Sequence, residues 1–491
     1  MFDTLPDMAA KRAEISPQRL AFRDSRDWSF AEVERAATGI ARGLTEAGLA
    51  EGDRVAILCQ NTASFFVVLF ACQKTGVILC PLNWRQPVPE LLDTLAPVTP
   101  KAILHDAAHA DAAGEVARAA GLRTYRLETD VAGWQHLPPA PAVAPVPGGR
   151  PWYLLFTSGT TGRPKAVIQT AAMAWANAIN IGQAIGLTAA DRSVNFLPLF
   201  HTAGINLYTL PLFLAGGCST IVPKFEPERL LALIRRGEVT QFFGVPAVYQ
   251  SFSLMPEVDA IDWKGLRCGC GGAPLPEPLI RFFAARGAQV LNGMGMTETG
   301  PTVFLMDPEN AGRKIGSVGK AQMLTEIRLD GVADGVAGAG ELQLRGPNVT
   351  PGYFANPAAT AASFTADGWL KTGDVARRDD EGYIYIVDRI KDMFISGGEN
   401  VYPAEVERVL NTHPAILEAA VIGVADAKWG EVGAAFVLLR PGETLAEPAL
   451  RAWCRERLAA YKVPASFRVL ADFPRTAAGK VRKPDLRGML T

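Results

Sequence analysis

The sequence predicts an α/β protein with two domains: a large N-terminal one built on parallel α/β sheets with a small β subdomain, then a small α+β C-terminal one. Three observations carry this expectation. Between Ser29 and Pro81, short apolar runs alternate with amphipathic helical ones, as in a parallel sheet covered on both faces. Between Glu326 and Arg345, two alternating runs flank the glycine-rich Gly331 to Gly340, which reads as antiparallel strands. From about Lys391 a helix, two strands and a second helix follow closely, so the boundary is placed between Ile390 and Lys391, giving domains 1–390 and 391–491. A chain of 491 residues is too long for a single core.

Ser29-Phe30-Ala31-Glu32 has the spacing of a capping box. Val33, Ala37, Ile40, Leu44 and Ala47 then recur at helical intervals until Gly48 stops the helix. Arg54 to Leu58 reads as a buried strand, Thr62 to Lys74 as a helix and Gly76 to Pro81 as another strand. The five prolines between Leu137 and Gly149 fit neither helix nor central strand and mark a linker. A second α/β set runs from Asp191 to Leu291. In the C-terminal part, helices are expected at Ala404 to Leu410 and Glu447 to Ala460, and strands at Ala419 to Gly423 and Ala434 to Leu439.

Composition narrows the function classes. With 49 basic against 50 acidic residues there is no electrostatic footprint for nucleic acid or an anionic membrane, so any polyanion must be met locally. The longest apolar run, Phe65 to Cys72, is far short of a membrane span. Seven scattered cysteines lack metal or redox spacing and read as buried free thiols. The acidic N-terminus is not a secretory signal. A cytoplasmic protein is expected, and self-association into a homo-oligomer is compatible with the sequence.

Chemistry concentrates in a few stretches. In Phe156 to Val167, FTSGTTGRPKAV, Gly159 and Gly162 let successive N–H groups converge on one anion. Thr157, Ser158, Thr160 and Thr161 add neutral donors, and Lys165 adds a point charge. This is a phosphate cradle, or, taken alone, a surface loop with an incidental lysine. His201 closes Pro198-Leu199-Phe200-His201; an isolated histidine there is more often structural. Gly271-Gly272-Ala273-Pro274 is a tight turn able to bring backbone close to a flat ring. Asn292 to Thr299 places Glu298 and two hydroxyls after paired glycines, either a seat for a phosphate-bound magnesium ion or an exposed loop glutamate. Asp374 is suited to accept both hydroxyls of a ribose, and Arg389 could serve the ribose or the phosphates. Lys480 ends the glycine-hinged loop Pro474 to Lys480.

Together TSGTTGRPK, PLFH, NGMGMTETG, WLKTGD, DRIKDMFISGGENVYP and PRTAAGK, in this order, resemble the adenylate-forming superfamily of acyl-CoA synthetases, peptide-synthetase adenylation domains and beetle luciferases. The resemblance spans essentially the whole chain. It implies a ligase using ATP, Mg2+ and coenzyme A: a carboxylic acid attacks the α-phosphate to give acyl-AMP and pyrophosphate, and a thiol then displaces AMP. Under it, Thr157 to Lys165 hold the β- and γ-phosphates, and Glu298 with Thr160 holds magnesium. Gly272, Ala273, Pro274, Asn292, Gly293, Met294 and Thr297 flank the nucleotide, while Asp374 and Arg389 take the ribose. Lys480 bridges the acyl carboxylate and the α-phosphate. The C-terminal domain is mobile about the hinge Lys391, exchanging Lys480 for the loop Ser396 to Asn400, whose Gly397, Gly398 and Glu399 belong to the pantetheine tunnel. Met294 stands where the family usually has an aromatic residue, giving up ring stacking on the purine.

The resemblance places the acyl pocket around His201, Thr202, Ala203, Asn206, Val245, Tyr249, Gly271, Gly295, Pro301, Thr302 and Val303. None is charged, so a neutral aryl or alkyl monocarboxylate is expected. Glycines 269, 271, 272, 293 and 295 would leave a flat slot, with Asn206 and Tyr249 meeting ring hydroxyls, which favours a hydroxycinnamate such as ferulate or coumarate. A medium-chain fatty acid is the alternative, as is an adenylation enzyme loading a carrier protein. A kinase would instead release ADP.

Overall fold

The computed structural model describes residues 2–138, 145–158, 164–476 and 479–490. Gly159, Thr160, Thr161 and Gly162 of the cradle lie outside the described residues, as does the side chain of Ser158.

Two large sheets build the N-terminal part. The first has six strands in the order Pro164–Thr170, Pro151–Ser158, Ile78–Pro81, Arg54–Leu58, Ala102–His105, Arg123–Arg126, and is parallel except for the first pair. The second has nine, its parallel centre formed by Gln289–Gly295, Arg267–Cys270, Gln241–Gly244, Arg192–Asn195, Cys218–Ile221 and Leu20–Arg23. Between the two sheets lies the helix Ala63–Thr75, capped by Thr62 and ended by Gly76 in the left-handed conformation. It is apolar on every side because it is buried on every side: Phe65 through Cys72 are at most 1% exposed. Phe66 stacks on Phe22 of the nine-stranded sheet at 5.1 Å, and Trp152 of the six-stranded sheet donates its indole N–H to the Leu69 carbonyl at 2.7 Å. The preceding helix, Phe30–Glu46, begins with the expected reciprocal capping box between Ser29 and Glu32.

A four-stranded antiparallel sheet, Glu326–Leu329, Gly338–Arg345, Leu370–Arg378 and Ile384–Arg389, forms the β subdomain. The C-terminal part wraps Pro403–Asn411 and Glu447–Arg455 against a sheet centred on Ile416–Asp426 and Gly430–Leu439. The fold class is therefore the expected one, with local corrections. The second C-terminal helix stops at Arg455 and not at Ala460, because the chain must turn back for Ser466–Leu470 to pair in parallel with Gly430–Leu439. Within the proline-rich stretch, Val146–Pro147 pairs with Thr4–Leu5, an edge position that tolerates proline. Among the described residues no helix is long and apolar enough to cross a membrane.

Parallel strands of the nine-stranded sheet end at Asn195, Gly244, Cys270 and Gly295, and the motif residues sit in the crevice outside these carboxyl ends.

Candidate active site

The cradle joins two antiparallel strands, Pro151–Ser158 and Pro164–Thr170, with Thr157 opposite Lys165 in register. The outer strand is also zipped to a later segment: Ile168 donates to the Gly352 carbonyl at 3.1 Å and Phe354 to that of Ala166 at 2.8 Å. This zipper delivers Tyr353 to the site. Its hydroxyl donates to Glu298 Oε1 at 2.9 Å, and its ring lies 5.1 Å beneath the Lys165 ammonium. Glu298 is 6% exposed, not an exposed loop glutamate, and its carbonyl accepts from Thr350 N–H at 2.8 Å. Thr297 gives its carbonyl to Gln169.

Lys480 converges on the same place from the C-terminal part. Its turn is closed by Thr476, which receives the Lys480 N–H on its hydroxyl and donates its own N–H to the Lys480 carbonyl at 2.7 Å. Arg475 roots the turn by an ion pair with Glu418 on Ile416–Asp426. Gly479 lies against Val245, and Lys480 Cε stands 3.9 Å from where a Gly272 Cβ would be. Gly272, with φ of 83°, turns the chain here, leaving Ala273 and Pro274 at the surface of the crevice. The Lys480 side chain keeps contact with solvent while protein crowds its ammonium. That desolvation, with nearby Arg389, lowers its pKa against the opposing pull of Asp374 and Glu298. Asp374 and Arg389 are register partners on adjacent strands, 3.4 Å apart. Burial raises the Asp374 pKa, opposed by Arg389 and Lys480.

The nucleotide side has one further unpaired acceptor. Asn292 is 6% exposed and donates to Ser317, but its Oδ1 is buried without a partner among the described residues, as an acceptor awaiting an amino group would be. Met294 packs against the β-subdomain core beside Phe304, and Gly293 closes on the Phe304 carbonyl.

Several expected pocket residues are otherwise engaged. Asn206 is 1% exposed, accepting from the Tyr153 hydroxyl at 2.7 Å and donating to Thr202 at 3.2 Å. Tyr249 is fully buried and donates to the Gly269 carbonyl at 2.7 Å. Neither can meet a ring hydroxyl, because each satisfies an internal polar group that would otherwise be orphaned. Val303 points into the β-subdomain core. Of the glycines, Gly269, Gly271, Gly293 and Gly295 are covered by close neighbours, whereas Gly272 stays open beside Lys480. Gly295 abuts the Pro301 carbonyl and Gly271 the Gly293 carbonyl, while Gly269 and Gly271 seat the ring of Phe243. Thr302 is buried with its hydroxyl unpartnered among the described residues, and Ala203 is half-buried beside Tyr208 and Phe243.

Ser396 to Asn400 is not gathered here. It forms a hairpin turn on the C-terminal sheet, with Gly397 and Gly398 at φ of 61° and 90°, Glu399 exposed, and Gly397 under the Trp429 ring. Lys391 is exposed in the turn after Ile384–Arg389.

The AMP-binding enzyme family matches residues 9–354, and the AMP-binding enzyme C-terminal domain matches residues 405–480. The chain belongs to the AMP-binding enzyme family. It is 39% identical over 482 residues to a feruloyl-CoA synthase of an Amycolatopsis species, covering 97% of each chain. An indoleacetate–CoA ligase of Aromatoleum aromaticum is 36% identical over 505 residues, covering 99% of this chain and 98% of that one. Among solved structures, ATP-bound MatB from Rhodopseudomonas palustris superposes with a TM-score of 0.90 at 29% identity, covering 98% of both chains, whereas its apo form gives 0.79. The arrangement of this AMP-binding enzyme is thus closer to the ATP-bound form.

The donor set fits a magnesium ion. Glu298 offers a single buried carboxylate, as a Mg2+ completed by nucleotide phosphates would use. Sequence reasoning missed Tyr353, Tyr208 and Phe243; only Tyr353 had a local signal, its place in the Gly352-Tyr353 pair after Thr350.

His201 is a neutral imidazole here. Burial, with Lys480 and Arg85 nearby, holds its pKa down to about 4, and its Nε2 is buried without a partner among the described residues. The unfolded value lies near 6.5, so the neutral form the fold requires is fully populated above that pH. The stability it carries is lost as pH falls through about 4. An NMR titration of the ring should show its midpoint near 4; a midpoint at 6 or above would contradict this environment.

Proposed function

We propose that the protein is an ATP-dependent carboxylate–CoA ligase that activates a hydroxycinnamate-type acid as acyl-AMP with release of pyrophosphate, then forms the acyl-CoA thioester in the cytoplasm. The observation that carries this reading is the convergence of Lys480 on Gly272, Asp374, Arg389 and Glu298, around a crevice bordered on its acyl side by Ala203, Tyr208 and Phe243.

In the first half-reaction, Asp374 accepts from the ribose hydroxyls, steadied by Arg389. Asn292 Oδ1 accepts from the adenine amino group. Thr157 to Lys165 hold the phosphates that leave. Glu298, with Thr160, would hold Mg2+, which when bound offsets phosphate charge. Lys480 lies between carboxylate and α-phosphate and stabilises the charge that develops there, a role for a preorganised cation in a partly dry cleft. His201, neutral and with a free ring nitrogen, borders the carboxylate end of the acid without adding a second charge.

For the second half-reaction, the part from Lys391 onward turns about that residue, withdrawing Lys480 and bringing Ser396 to Asn400 toward the acyl-adenylate for entry of the CoA thiol. The domains are accordingly 1–390 and 391–491. Feruloyl-CoA synthase among the relatives supports an aryl acid bearing a propenoate arm.

The test is pyrophosphate release with Mg-ATP, followed by thioester formation on adding CoA, across ferulate, 4-hydroxycinnamate, octanoate, malonate and amino acids. The hydroxycinnamates should give the highest kcat/KM. A response confined to octanoate, dicarboxylates or amino acids would overturn the reading.

A further inference from the structure

Two aromatic residues outside the expected pocket set, Tyr208 and Phe243, form one continuous surface with the glycines beside Lys480. Phe243, in Gln241–Gly244, is the register partner of Gly269 on the adjacent parallel strand. Its half-buried ring lies across that strand: a Cβ on Gly269 would stand 2.6 Å from Phe243 Cδ2, and one on Gly271 2.8 Å from its Cζ. One face of the ring is bedded on backbone. Tyr208 meets the edge of this ring at 79°, centroids 5.8 Å apart, and its hydroxyl stands 2.7 Å from the same Gly269 Cβ position.

The tyrosine is unusual among its neighbours. Tyr153 and Tyr249 are fully buried and both donate hydrogen bonds, to Asn206 and to Gly269. Tyr208 is 5% exposed, yet its hydroxyl has no hydrogen-bond partner among the described residues. Unlike Asn292 Oδ1 and Thr302 Oγ1, which are sealed, the Tyr208 hydroxyl keeps solvent-accessible surface, and an unpaired donor left open beside the crevice calls for an explanation.

Length supplies one. Gly272 lies beside Lys480 Cε, and Gly269 lies beside the Tyr208 hydroxyl. The strand ends at Cys270 and the chain bends at Gly272, so the three residues separating them span at most roughly 10 Å, at about 3.3 Å per residue. An acid whose carboxylate meets Lys480 therefore needs a body of that order to reach Tyr208. A propenoate arm plus an aromatic ring spans it, ending at the para substituent. A benzoate falls short, and an alkyl chain of the same length would put a methylene against the hydroxyl.

We propose that Tyr208 is a specificity-determining residue that hydrogen-bonds a para oxygen substituent on an arylpropenoic acid, whose ring lies on the free face of Phe243. This rests on the aryl-acid ligase reading given above and names the group that recognises the ring oxygen. A phenol on the acid can donate to Tyr208 or accept from it. The flat ring gains an aromatic contact that a flexible chain cannot match.

The test compares kcat/KM for 4-hydroxycinnamate, cinnamate and octanoate, read as pyrophosphate release, in the wild type, Tyr208→Phe and Phe243→Leu, with a thermal melt of each. Tyr208→Phe removes only an unpartnered oxygen, so its melt should match the wild type. The wild type should prefer 4-hydroxycinnamate over cinnamate by about tenfold or more, the scale of one hydrogen bond plus the penalty of an unpaired group. Tyr208→Phe should bring that ratio close to one by lowering the hydroxylated acid alone. Phe243→Leu should weaken both aryl acids and spare octanoate. An unchanged ratio in Tyr208→Phe, or an equal loss on all three acids, would overturn the assignment while leaving the ligase reading intact. Preference of the wild type for octanoate over both aryl acids would overturn the reading and the assignment together.

Discussion

Replacing Lys480 with alanine is expected to lower acyl-adenylate formation by roughly 10²-fold or more, the effect of deleting a preorganised group that stabilises developing charge. Thioester formation from supplied acyl-adenylate and CoA should continue at nearly the wild-type rate. The reason is positional: Lys480 is placed by the Arg475–Glu418 ion pair and the Thr476 turn, neither of which depends on its ammonium. Alanine keeps that turn and loses only the charge facing Asp374 and Glu298. Single-turnover measurement of each half-reaction separates the two outcomes, and an equal loss in both would refute the role.

Glu298→Gln should be nearly as damaging to the first half-reaction, by about 10²-fold in kcat at saturating ATP, with a raised requirement for Mg2+. Glutamine has the same shape and still accepts from Tyr353, so folding stability should stay within about 0.5 kcal/mol of the wild type in urea. Rates followed across a magnesium titration decide the matter. Wild-type behaviour in the variant would show that Glu298 is a buried structural acceptor and no more.

The nucleotide side was legible because its chemistry sits in contiguous stretches. Asp374 and Arg389 were named separately from two motifs, and strand pairing makes them neighbours. The helices starting at Phe30 and Ala63 were equally plain, since Ser29 with Glu32 and the stop at Gly76 are local signals. The acyl side was not legible, because its character is decided by partners far apart in sequence. Asn206 and Tyr249 looked available until Tyr153 and Gly269 were seen to occupy them. Tyr208 and Phe243 carry no motif; they matter only because two parallel strands bring Phe243 over Gly269. Tyr353 reaches Glu298 through a zipper between Ala166 to Ile168 and Gly352 to Phe354, a pairing that no periodicity in either segment announces.

The bedding of Phe243 on Gly269 and Gly271 divides the tunable from the fixed in this enzyme. A methyl group at Gly269 would have to lift the ring by about 1 Å to restore an ordinary carbon contact, enough to close the space above it to a second flat ring. That dimension is written in main chain and tolerates no gradual adjustment. Ala203, packed in the same cluster as Phe243, and Val245, beside Gly272 and Gly479, by contrast carry exchangeable side chains. Side-chain exchange at such positions changes the site stepwise, whereas moving this ring requires the strand and the phenylalanine to change in concert.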